Sequence, residues 1–300
     1  MLRFPAHTLE LPYSPPYDWE NVLAFFRAHR LPHIEVVDDS GYERVIRAGR
    51  GLGWFRVEQQ KNRDALLLSL WNGSEKDAAR VSQSVRRMFD LDANPATVLR
   101  AMTADNLLSA FWAQHPGLRL ARSWDAFESI FTTVLGQVVS VSFGRLLIDE
   151  LMQAAGSPAV HPKTTQPISL FPSARQILEA DLSKVRTSRA RRATIRSVAQ
   201  VIDDGTLNLT TLLIPEVLRK VLSSIPGVGA WTTEYLALRA FGDDNAFPST
   251  DYALKQELKR HPEIRLDSVQ PFRGYAAIAL WKSFAESRKV PLNGSLLQQL

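Results

Sequence analysis

Cysteine is absent from all 300 residues of the chain. This absence excludes disulfides, thiolate zinc sites and iron–sulfur clusters with cysteine ligands. Long apolar runs are absent too: Tyr275–Trp281 is among the longest, whereas a membrane helix needs about 20 apolar residues. The N-terminal segment MLRFPAHTLELP lacks the apolar core of a signal peptide. Together these absences predict a cytosolic protein that does not associate with membranes.

Signatures of several enzyme classes are also missing. The sequence has no G-x-G-x-x-G, Walker or G-x-S-x-G motif, so nucleotide hydrolysis and serine-esterase chemistry lack support. Its six histidines are scattered without the spacing of metal ligands. No required cofactor is therefore predicted. The formal net charge of +5 and the pI near 9.5 are compatible with a nucleic-acid partner.

The first 92 residues show the pattern of a mixed α/β domain. Apolar residues at helical spacing predict helices over 17–30, with Asp18 as its cap, and over 75–88. Strand-like segments lie at 42–46, 53–58 and 65–71, with turn residues between them. From Asn94 onward strand patterns vanish and helices dominate. The predicted fold class is therefore α+β, with an N-terminal mixed α/β domain followed by a mostly helical region.

One helical pattern in the second region is unusually long. It runs from Trp124 to Ala155, and we expect it to bend or break near Gly136 or Gly144. A polar, proline-containing loop is predicted after it, over 156–167. The other predicted helices cover residues 96–102, 106–114, 173–180, 189–204, 215–225, 230–241, 251–260 and 272–287.

A glycine-rich reversal lies between two of these helices. An apolar helix end meets Pro226-Gly227-Val228-Gly229, and the next helix is predicted from Ala230. Two glycines two residues apart permit a tight turn, because glycine adopts positive φ without a Cβ clash, and we expect positive φ at Gly229 as at Gly227. The turn leaves the first amides of the next helix unpaired. Free N–H groups at a positive helix end form an anion site, and DNA phosphate is the obvious anion.

The sequence beyond this hairpin reaches Phe247-Pro248 and then Asp251. A hairpin followed by such an aspartate resembles the helix-hairpin-helix DNA glycosylases. Five further segments are similar to bacterial DNA-3-methyladenine glycosylase II, and the resemblance covers roughly residues 9 to 285. They read SPPYDW, MFDLDANP, PGLRL, DAFESIFTTVLGQVVSV and TDYALKQEL.

The resemblance implies a domain organisation and an activity. It places an N-terminal α/β domain at 1–92 and a helical glycosylase region at 93–300. A central lobe at about 114–240 would contain the hairpin at 225–229, and a second lobe would combine about 93–113 with 241–300. The active cleft would lie between these lobes. Members of the family remove alkylated bases from DNA.

Asp251 is the candidate catalytic residue. Glycosidic cleavage passes through an oxocarbenium-like sugar, and a nearby carboxylate stabilises that cation and orients water. A structural alternative is a helix N-cap, because Asp251 opens an apolar-periodic helix; both roles can hold together. Asp243 and Asp244 compete on sequence alone, but their Gly-Asp-Asp-Asn setting predicts a solvated turn.

The resemblance assigns a base pocket to Trp231, Tyr235 and Trp281, with His29 at its side. Trp231 and Tyr235 share a helix face, and aromatic rings attract a cationic alkylpurine by about 2 kcal/mol when desolvated. Plain core packing is the alternative. Related enzymes that also nick the strand carry a Schiff-base lysine where this chain has Trp231. The resemblance therefore implies simple hydrolysis.

The same resemblance implies three elements that contact DNA. Main-chain amides of Gly227, Gly229 and Thr232 would hold one phosphate. Gln137 precedes Val138, which would be the wedge that fills the gap of a flipped base; a buried helix residue is the alternative. The carbonyl groups that would hold a monovalent cation at the hairpin belong to Ser223, Ile225 and Val228.

A basic cluster adds a further DNA-binding candidate. It either forms a phosphate-binding face or is a solvated helix surface. The strongest candidates for phosphate contact in it are Arg191 and Arg192. The cluster comprises Lys184, Arg186, Arg189, Arg191, Arg192 and Arg196.

These observations favour a monofunctional DNA glycosylase for 3-methyladenine and 7-methylguanine type lesions in base excision repair. Two alternatives stay open: a non-catalytic helix-hairpin-helix DNA-binding protein, and an oxidised-purine glycosylase, against which the missing lysine counts. The expected partner is double-stranded DNA with damaged bases, in the bacterial cytosol at the nucleoid. We expect a monomer, because no heptad seam is present, and a sodium or potassium ion at the hairpin is the single ion implied.

Overall fold

A computed structural model of the protein describes residues 4–209 and 215–288. Its N-terminal part is a five-stranded antiparallel sheet with the strand order β1-β5-β4-β3-β2. The three predicted strands are confirmed, and two edge strands were missed, because they are short or only half-buried. The strands are β1 (His7–Pro12), β2 (Glu35–Val37), β3 (Gly41–Ala48), β4 (Gly51–Gln59) and β5 (Ala65–Trp71).

Helices α1 (Trp19–His29) and α2 (Glu75–Met88) share one hydrophobic core with this sheet. Asp18 caps α1 by accepting a hydrogen bond from the Asn21 amide, as the sequence predicts. Phe26 of α1 packs on Phe89, with ring centroids 4.7 Å apart. Each large apolar side chain buried in this way stabilises the fold by about 1.5–3 kcal/mol.

The second part of the chain is mostly helical. Its helices pack in two groups, α5 to α10 together and α3, α4, α11 and α12 together. The division into domains and lobes stays a prediction. The helices are α3 (Pro95–Met102), α4 (Asn106–Gln114), α5 (Ala126–Gly136), α6 (Val141–Ala155), α7 (Ala174–Glu179), α8 (Arg189–Asp203), α9 (Pro215–Ser224), α10 (Ala230–Arg239), α11 (Tyr252–Arg260) and α12 (Arg273–Ser287).

The long predicted helix breaks where the first of its glycines stands. Helix α5 ends at Gly136 and α6 begins at Val141, with Ser140 as its N-cap. Gly144 lies inside α6 without interrupting it. The break therefore produces a short surface loop, residues 137–140, in which Val138 is exposed.

The loop predicted over 156–167 is wrong in part. Residues 157–160 form strand β6 and residues 167–170 form strand β7, and the two strands pair antiparallel. Pro158 and Pro167 obscure the strand pattern in the sequence. A two-stranded ribbon tolerates them because each strand has one unpaired edge.

No helix within residues 4–209 and 215–288 is long and apolar enough to cross a membrane.

A buried ion pair joins the sheet to the helical region. Arg44 of β3 binds Glu35 and donates to Glu128 of α5, with 2.6 Å between Arg44 Nη2 and Glu128 Oε2. Only 3% of the Arg44 side chain is exposed. Breaking a buried pair of this kind by removing one partner destabilises a fold by about 3–5 kcal/mol.

Candidate active site and DNA-binding hairpin

Asp251 is the N-cap of α11 and is only 2% exposed. Its Oδ1 accepts hydrogen bonds from the Leu254 amide, at 3.1 Å, and from Trp281 Nε1, at 3.0 Å. Its Oδ2 accepts from Trp231 Nε1, also at 3.0 Å. An ionised carboxylate can accept about four hydrogen bonds. The capping role of Asp251 is confirmed and leaves one acceptor position for a further partner, while its catalytic role stays a prediction.

The loop that presents Asp251 is held by ion pairs. Arg219 donates to Glu234 at 3.1 Å and to Asp243 at 2.8 Å. Glu234 in turn accepts from the Phe247 amide at 3.1 Å. The predicted solvated turn is wrong on this point, because Asp243 pairs with Arg219 and Asp244 pairs with Arg122. Their partners lie 24 and 122 residues away in the sequence, so local composition could not indicate them.

The predicted aromatic residues surround this carboxylate. Trp231 and Tyr235 stack with their ring centroids 5.0 Å apart, and Tyr235 meets Trp281 edge-on at 6.3 Å. The Arg239 guanidinium lies 5.3 Å from the Trp281 ring centre and 4.5 Å from that of Phe25. A buried cation therefore already occupies one face of Trp281. Nothing in the local sequence pattern marks Arg239 or Phe25, so neither was predicted.

Two cavities lie beside these rings and share Phe25 and His29 as lining residues. The first is lined by Trp231 and Tyr235, together with side chains from the sheet domain and from α5 and α6. The second is lined by Trp281 and Arg239. Charged side chains on the wall of the first cavity are Glu35, Arg44, Asp125, Glu128 and Arg145. Asp251 is not a lining residue of either cavity and reaches them through the two indoles that it binds.

Glu128, an acidic residue in the wall of the first cavity, has a strongly shifted pKa. Burial raises its pKa from 4.5 to about 7, and the charges of Asp125 and Glu35 act in the same direction. The Arg44 guanidinium opposes this rise. The wall of the first cavity thus holds a carboxyl group whose ionisation depends on its cationic partner.

His29 lines both cavities. Its Nδ1 donates to the Phe25 carbonyl at 2.8 Å, and its ring stacks on Phe25 at 4.4 Å. Burial lowers the pKa of His29 from 6.5 to about 4, and the Arg239 and Arg145 guanidiniums act in the same direction, while the bond to Phe25 opposes them. The imidazole is therefore neutral near pH 7.

This lowered pKa predicts a pH-dependent stability. Between pH 6.5 and about 4 the unfolded chain binds a proton at His29 that the folded chain excludes. The contribution of His29 to the free energy of unfolding therefore falls as the pH drops through this window. We expect the stability of wild type relative to His29→Gln to decrease from pH 7 to pH 5 in urea unfolding. An unchanged difference at the two pH values would contradict the prediction.

The hairpin between α9 and α10 has one glycine with positive φ. Gly227 adopts φ of +87°, and a Cβ built there would lie 2.0 Å from Thr194 Oγ1. Gly229 has φ of −90° and ψ of 177°, and its Cβ direction is open. The expectation that both glycines need positive φ is therefore wrong for Gly229. As the N-cap of α10 it offers no side-chain oxygen, so the first amides of α10 have no side-chain cap.

The loop after α5 is anchored to this hairpin. Gln137 donates to Thr232 Oγ1 at 2.7 Å and to the Gly227 carbonyl at 3.4 Å. The Arg191 guanidinium donates to the Gln137 carbonyl. The structure thus brings together Gln137, Gly227 and Thr232, which the sequence analysis assigned to DNA contact.

Val138 protrudes from the same loop. Its side chain is 71% exposed, and its φ is +56°. Positive φ is a genuine outlier for a β-branched residue, and such strain concentrates at functional sites. The alternative that Val138 is a buried helix residue is therefore wrong.

The basic cluster is partly engaged by the protein itself. Arg192 donates to the carbonyls of Val185 and Thr187 at 2.9 and 2.6 Å, and Arg196 donates to two other carbonyls. Arg186 pairs with Glu150. Lys184 and Arg189 are exposed at the surface. Contact of the cluster with phosphate stays a prediction.

The residues proposed for a cation lie at the end of α9. The Ile225 carbonyl accepts a hydrogen bond from the Val228 amide at 3.0 Å. Within the described residues there is no group of three or more His, Asp or Glu side chains that could hold a metal. The carbonyl oxygens of Ser223, Ile225 and Val228 are neutral donors, which fit an alkali cation better than a transition metal.

The fold and this site define a class. The arrangement matches the solved 3-methyladenine DNA glycosylase of Archaeoglobus fulgidus with a TM-score of 0.68, at 21% identity, over 98% of this chain and 96% of that one. The chain thus has the helix-hairpin-helix glycosylase fold.

Comparison of sequences is more specific. Residues 8–125 match the AlkA N-terminal domain family. The chain is 30% identical over 282 residues to DNA-3-methyladenine glycosylase 2 of Escherichia coli, covering 90% of this chain and 95% of that protein. It is 31% identical to a probable bifunctional transcriptional activator/DNA repair enzyme AlkA of Mycobacterium tuberculosis, covering 91% of this chain but 56% of that protein. The chain therefore spans about half the length of that relative. It belongs to the AlkA family of DNA-3-methyladenine glycosylases.

Proposed function

We propose that this protein is a monofunctional DNA glycosylase that flips out alkylated bases and removes them by hydrolysis. One observation carries the proposal: the buried Asp251 carboxylate is clasped by the indole N–H groups of Trp231 and Trp281. Nothing about helix capping needs two indole donors. An aromatic cluster that holds one oriented carboxylate suits a cationic leaving base and an oxocarbenium-like sugar.

The chemistry follows from the charge of Asp251. As the glycosidic bond breaks, positive charge develops on the sugar, and a fixed carboxylate stabilises it without reorganising. The open acceptor position on Asp251 would orient the attacking water. Trp231 supplies no amine, and Lys255, one turn into α11, is exposed. Lys282, which lines the second cavity, pairs with Glu286 at 3.1 Å. Simple hydrolysis therefore accounts for the site without a Schiff base.

DNA binding follows from the hairpin and the adjacent loop. The uncapped amides of α10 would receive one phosphate, with a sodium or potassium ion held beside it by the hairpin carbonyls. Val138, already exposed and strained, would enter the gap that a flipped base leaves. In this proposal the partner is damaged double-stranded DNA, the protein acts as a monomer, and it works at the nucleoid in the bacterial cytosol.

Base release from alkylated duplex DNA tests the proposal. The protein should free 3-methyladenine and 7-methylguanine and leave an intact abasic strand. Borohydride added during turnover should trap no covalent adduct, because no amine attacks the sugar. The positive control is a lyase known to form the adduct, which should be trapped under the same conditions. A robust adduct with this protein would contradict hydrolysis, and the absence of base release would contradict the proposed function.

The exposed basic residues predict a salt dependence. Each phosphate neutralised by a side chain adds about 0.9 to the slope of log affinity against log salt. Replacing Lys184 and Arg189 together by alanine should flatten the slope by about two if both touch DNA. The matched double variant of Arg191 and Arg192 should also disturb the 137–140 loop, because Arg191 holds the Gln137 carbonyl. Fluorescence anisotropy across a salt series measures both, and an unchanged slope would remove these residues from the interface.

A further inference from the structure

Arg145 carries a positive charge that no described residue neutralises. It is the fifth residue of α6 and lines the first cavity. Within residues 4–209 and 215–288 it is the only half-buried arginine without a hydrogen bond, an ion pair or an aromatic ring as its partner. Removing a charge from water without pairing it is unfavourable. A guanidinium kept in this state therefore indicates a ligand of opposite charge.

The carboxylate that would ordinarily pair with Arg145 is engaged elsewhere. Asp149 lies four residues further along α6, the spacing at which opposite charges meet on a helix. Its two oxygens accept instead from His33 Nε2, at 3.0 Å, and from Gln153 Nε2, at 2.9 Å. The neighbouring charge that acts on Arg145 is that of Arg30, a second guanidinium. Two like charges are thus held near each other without a carboxylate between them.

The acidic residues of the same cavity have partners of their own. Glu35 and Glu128 are both bound by Arg44 of the sheet. Asp125 caps α5 and accepts a hydrogen bond from the Glu128 amide at 3.2 Å. None of these three carboxylates forms an ion pair with Arg145. Its charge is therefore left for a ligand.

The proposed substrate carries both signs of charge. Its alkylated base is cationic, so Arg145 would repel it, just as Arg145 disfavours a positive charge on His29. The phosphates that flank the same nucleotide are anionic. The planar guanidinium binds phosphate through two parallel N–H donors. Arg145 therefore fits a phosphate, while the aromatic cluster fits the base.

Arg145 also lies near the residue proposed to replace the flipped base. The loop that exposes Val138 leads directly into α6, and Arg145 stands about 6 Å along the axis from the first residue of this helix. Side chains of a helix lean back towards its N-terminus. The long side chain of Arg145 therefore extends from the cavity wall towards the loop that would meet DNA.

We propose that Arg145, with Arg30 beside it, binds a phosphate next to the flipped nucleotide and so holds this nucleotide outside the duplex. This role rests on the proposed function. A phosphate reaches the cavity only when its nucleotide has left the base stack. The contact therefore stabilises the flipped state relative to the stacked one. It is separate from the hairpin, whose amides would bind another phosphate.

A thermodynamic cycle between side chain and phosphate tests this contact. The probes are duplexes with one abasic analogue, in which the phosphate on its 5′ or its 3′ side is replaced singly by an uncharged methylphosphonate. Fluorescence anisotropy measures their binding to the whole chain. In wild type, one of the two replacements should weaken binding by about tenfold, the scale of one hydrogen bond to a charged group. Arg145→Met should weaken binding to the unmodified probe similarly and should no longer respond to that replacement.

Two further variants isolate the charge and its position. Arg145→Lys keeps the positive charge and should retain a response to the methylphosphonate. Arg100, an exposed arginine of α3, provides the matched control, and Arg100→Met should respond as wild type does. On undamaged duplex, where no nucleotide is flipped, Arg145→Met should bind as tightly as wild type. Urea unfolding checks that each variant is folded.

The outcomes separate this role from the proposed function. If neither methylphosphonate weakens wild type, or if the one that does weakens Arg145→Met equally, Arg145 does not bind a phosphate beside the flipped nucleotide. Equal weakening of Arg145→Met on damaged and undamaged duplex would show a contact that does not depend on flipping, which also contradicts the proposal. If wild type releases no alkylated base from DNA, the proposed function itself fails.

Discussion

Asp251→Asn should lower base excision by at least about 100-fold, because the substitution removes the negative charge that stabilises the sugar cation. Asparagine still offers one oxygen to cap α11. Its amide nitrogen, however, would face one of the two indole N–H groups that donate hydrogen bonds to the carboxylate in the wild-type protein. We therefore expect a folded protein that binds DNA and cannot cleave the glycosidic bond. Single-turnover release of 7-methylguanine measures the loss.

A matched control isolates the position of the charge. Asp267 is an exposed aspartate in the short 3-10 helix at 266–269. Asp267→Asn removes the same charge away from the aromatic cluster and should leave excision unchanged. Near-normal excision by folded Asp251→Asn would eliminate this carboxylate as the catalytic group.

Gly227→Val should have the second largest effect, on both folding and DNA affinity. A β-branched residue strongly disfavours φ of +87°, and such strain costs about 1–3 kcal/mol. The new Cβ would also lie 2.0 Å from Thr194 Oγ1. We expect a lower free energy of unfolding in urea and at least about tenfold weaker binding to an abasic-analogue duplex, because the uncapped amides of α10 would be displaced.

Gly229→Ala is the matched control for this prediction. Gly229 has negative φ, and its Cβ direction is open, so alanine should leave the unfolding free energy within about 0.5 kcal/mol. Adding Thr194→Ala to Gly227→Val should restore part of the lost stability by removing the clash. If Gly227→Val bound the duplex as tightly as wild type, the hairpin would not be the phosphate anchor.

The sequence predicted the elements whose causes are local. The break after Gly136, the cap at Asp18 and the three inner strands depend on residues within a few positions of each other. The roles of Asp251 and of the neighbouring indoles were predicted from the family resemblance. That resemblance rests on motifs and their spacing in the sequence, and not on physical interactions. The structure shows that both indoles donate hydrogen bonds to the carboxylate, from positions 20 and 30 residues away in the sequence.

What escaped prediction depends on distant partners or on backbone geometry. The pairing of Asp244 with Arg122 spans 122 residues, and composition alone made that turn look solvated. Gly229 was expected at positive φ, because both glycines of the hairpin look alike in sequence. The exposure of Val138 could not be read from an apolar run that equally suits a buried helix. Each of these features arises from tertiary contacts that no local pattern encodes.

The ion pair between Arg44 and Glu128 has an evolutionary consequence. The sheet domain contributes Phe25, His29 and Arg44 to the wall of the first cavity. The cavity is therefore formed by both regions of the chain. A recombination event that joined the helical region to another N-terminal domain would leave Glu128 buried without its cation. We therefore expect such a chimaera to be less stable than the natural chain. If the first cavity receives the flipped base as proposed, substitutions in the sheet domain would alter which bases fit, while the aspartate and the hairpin stay unchanged.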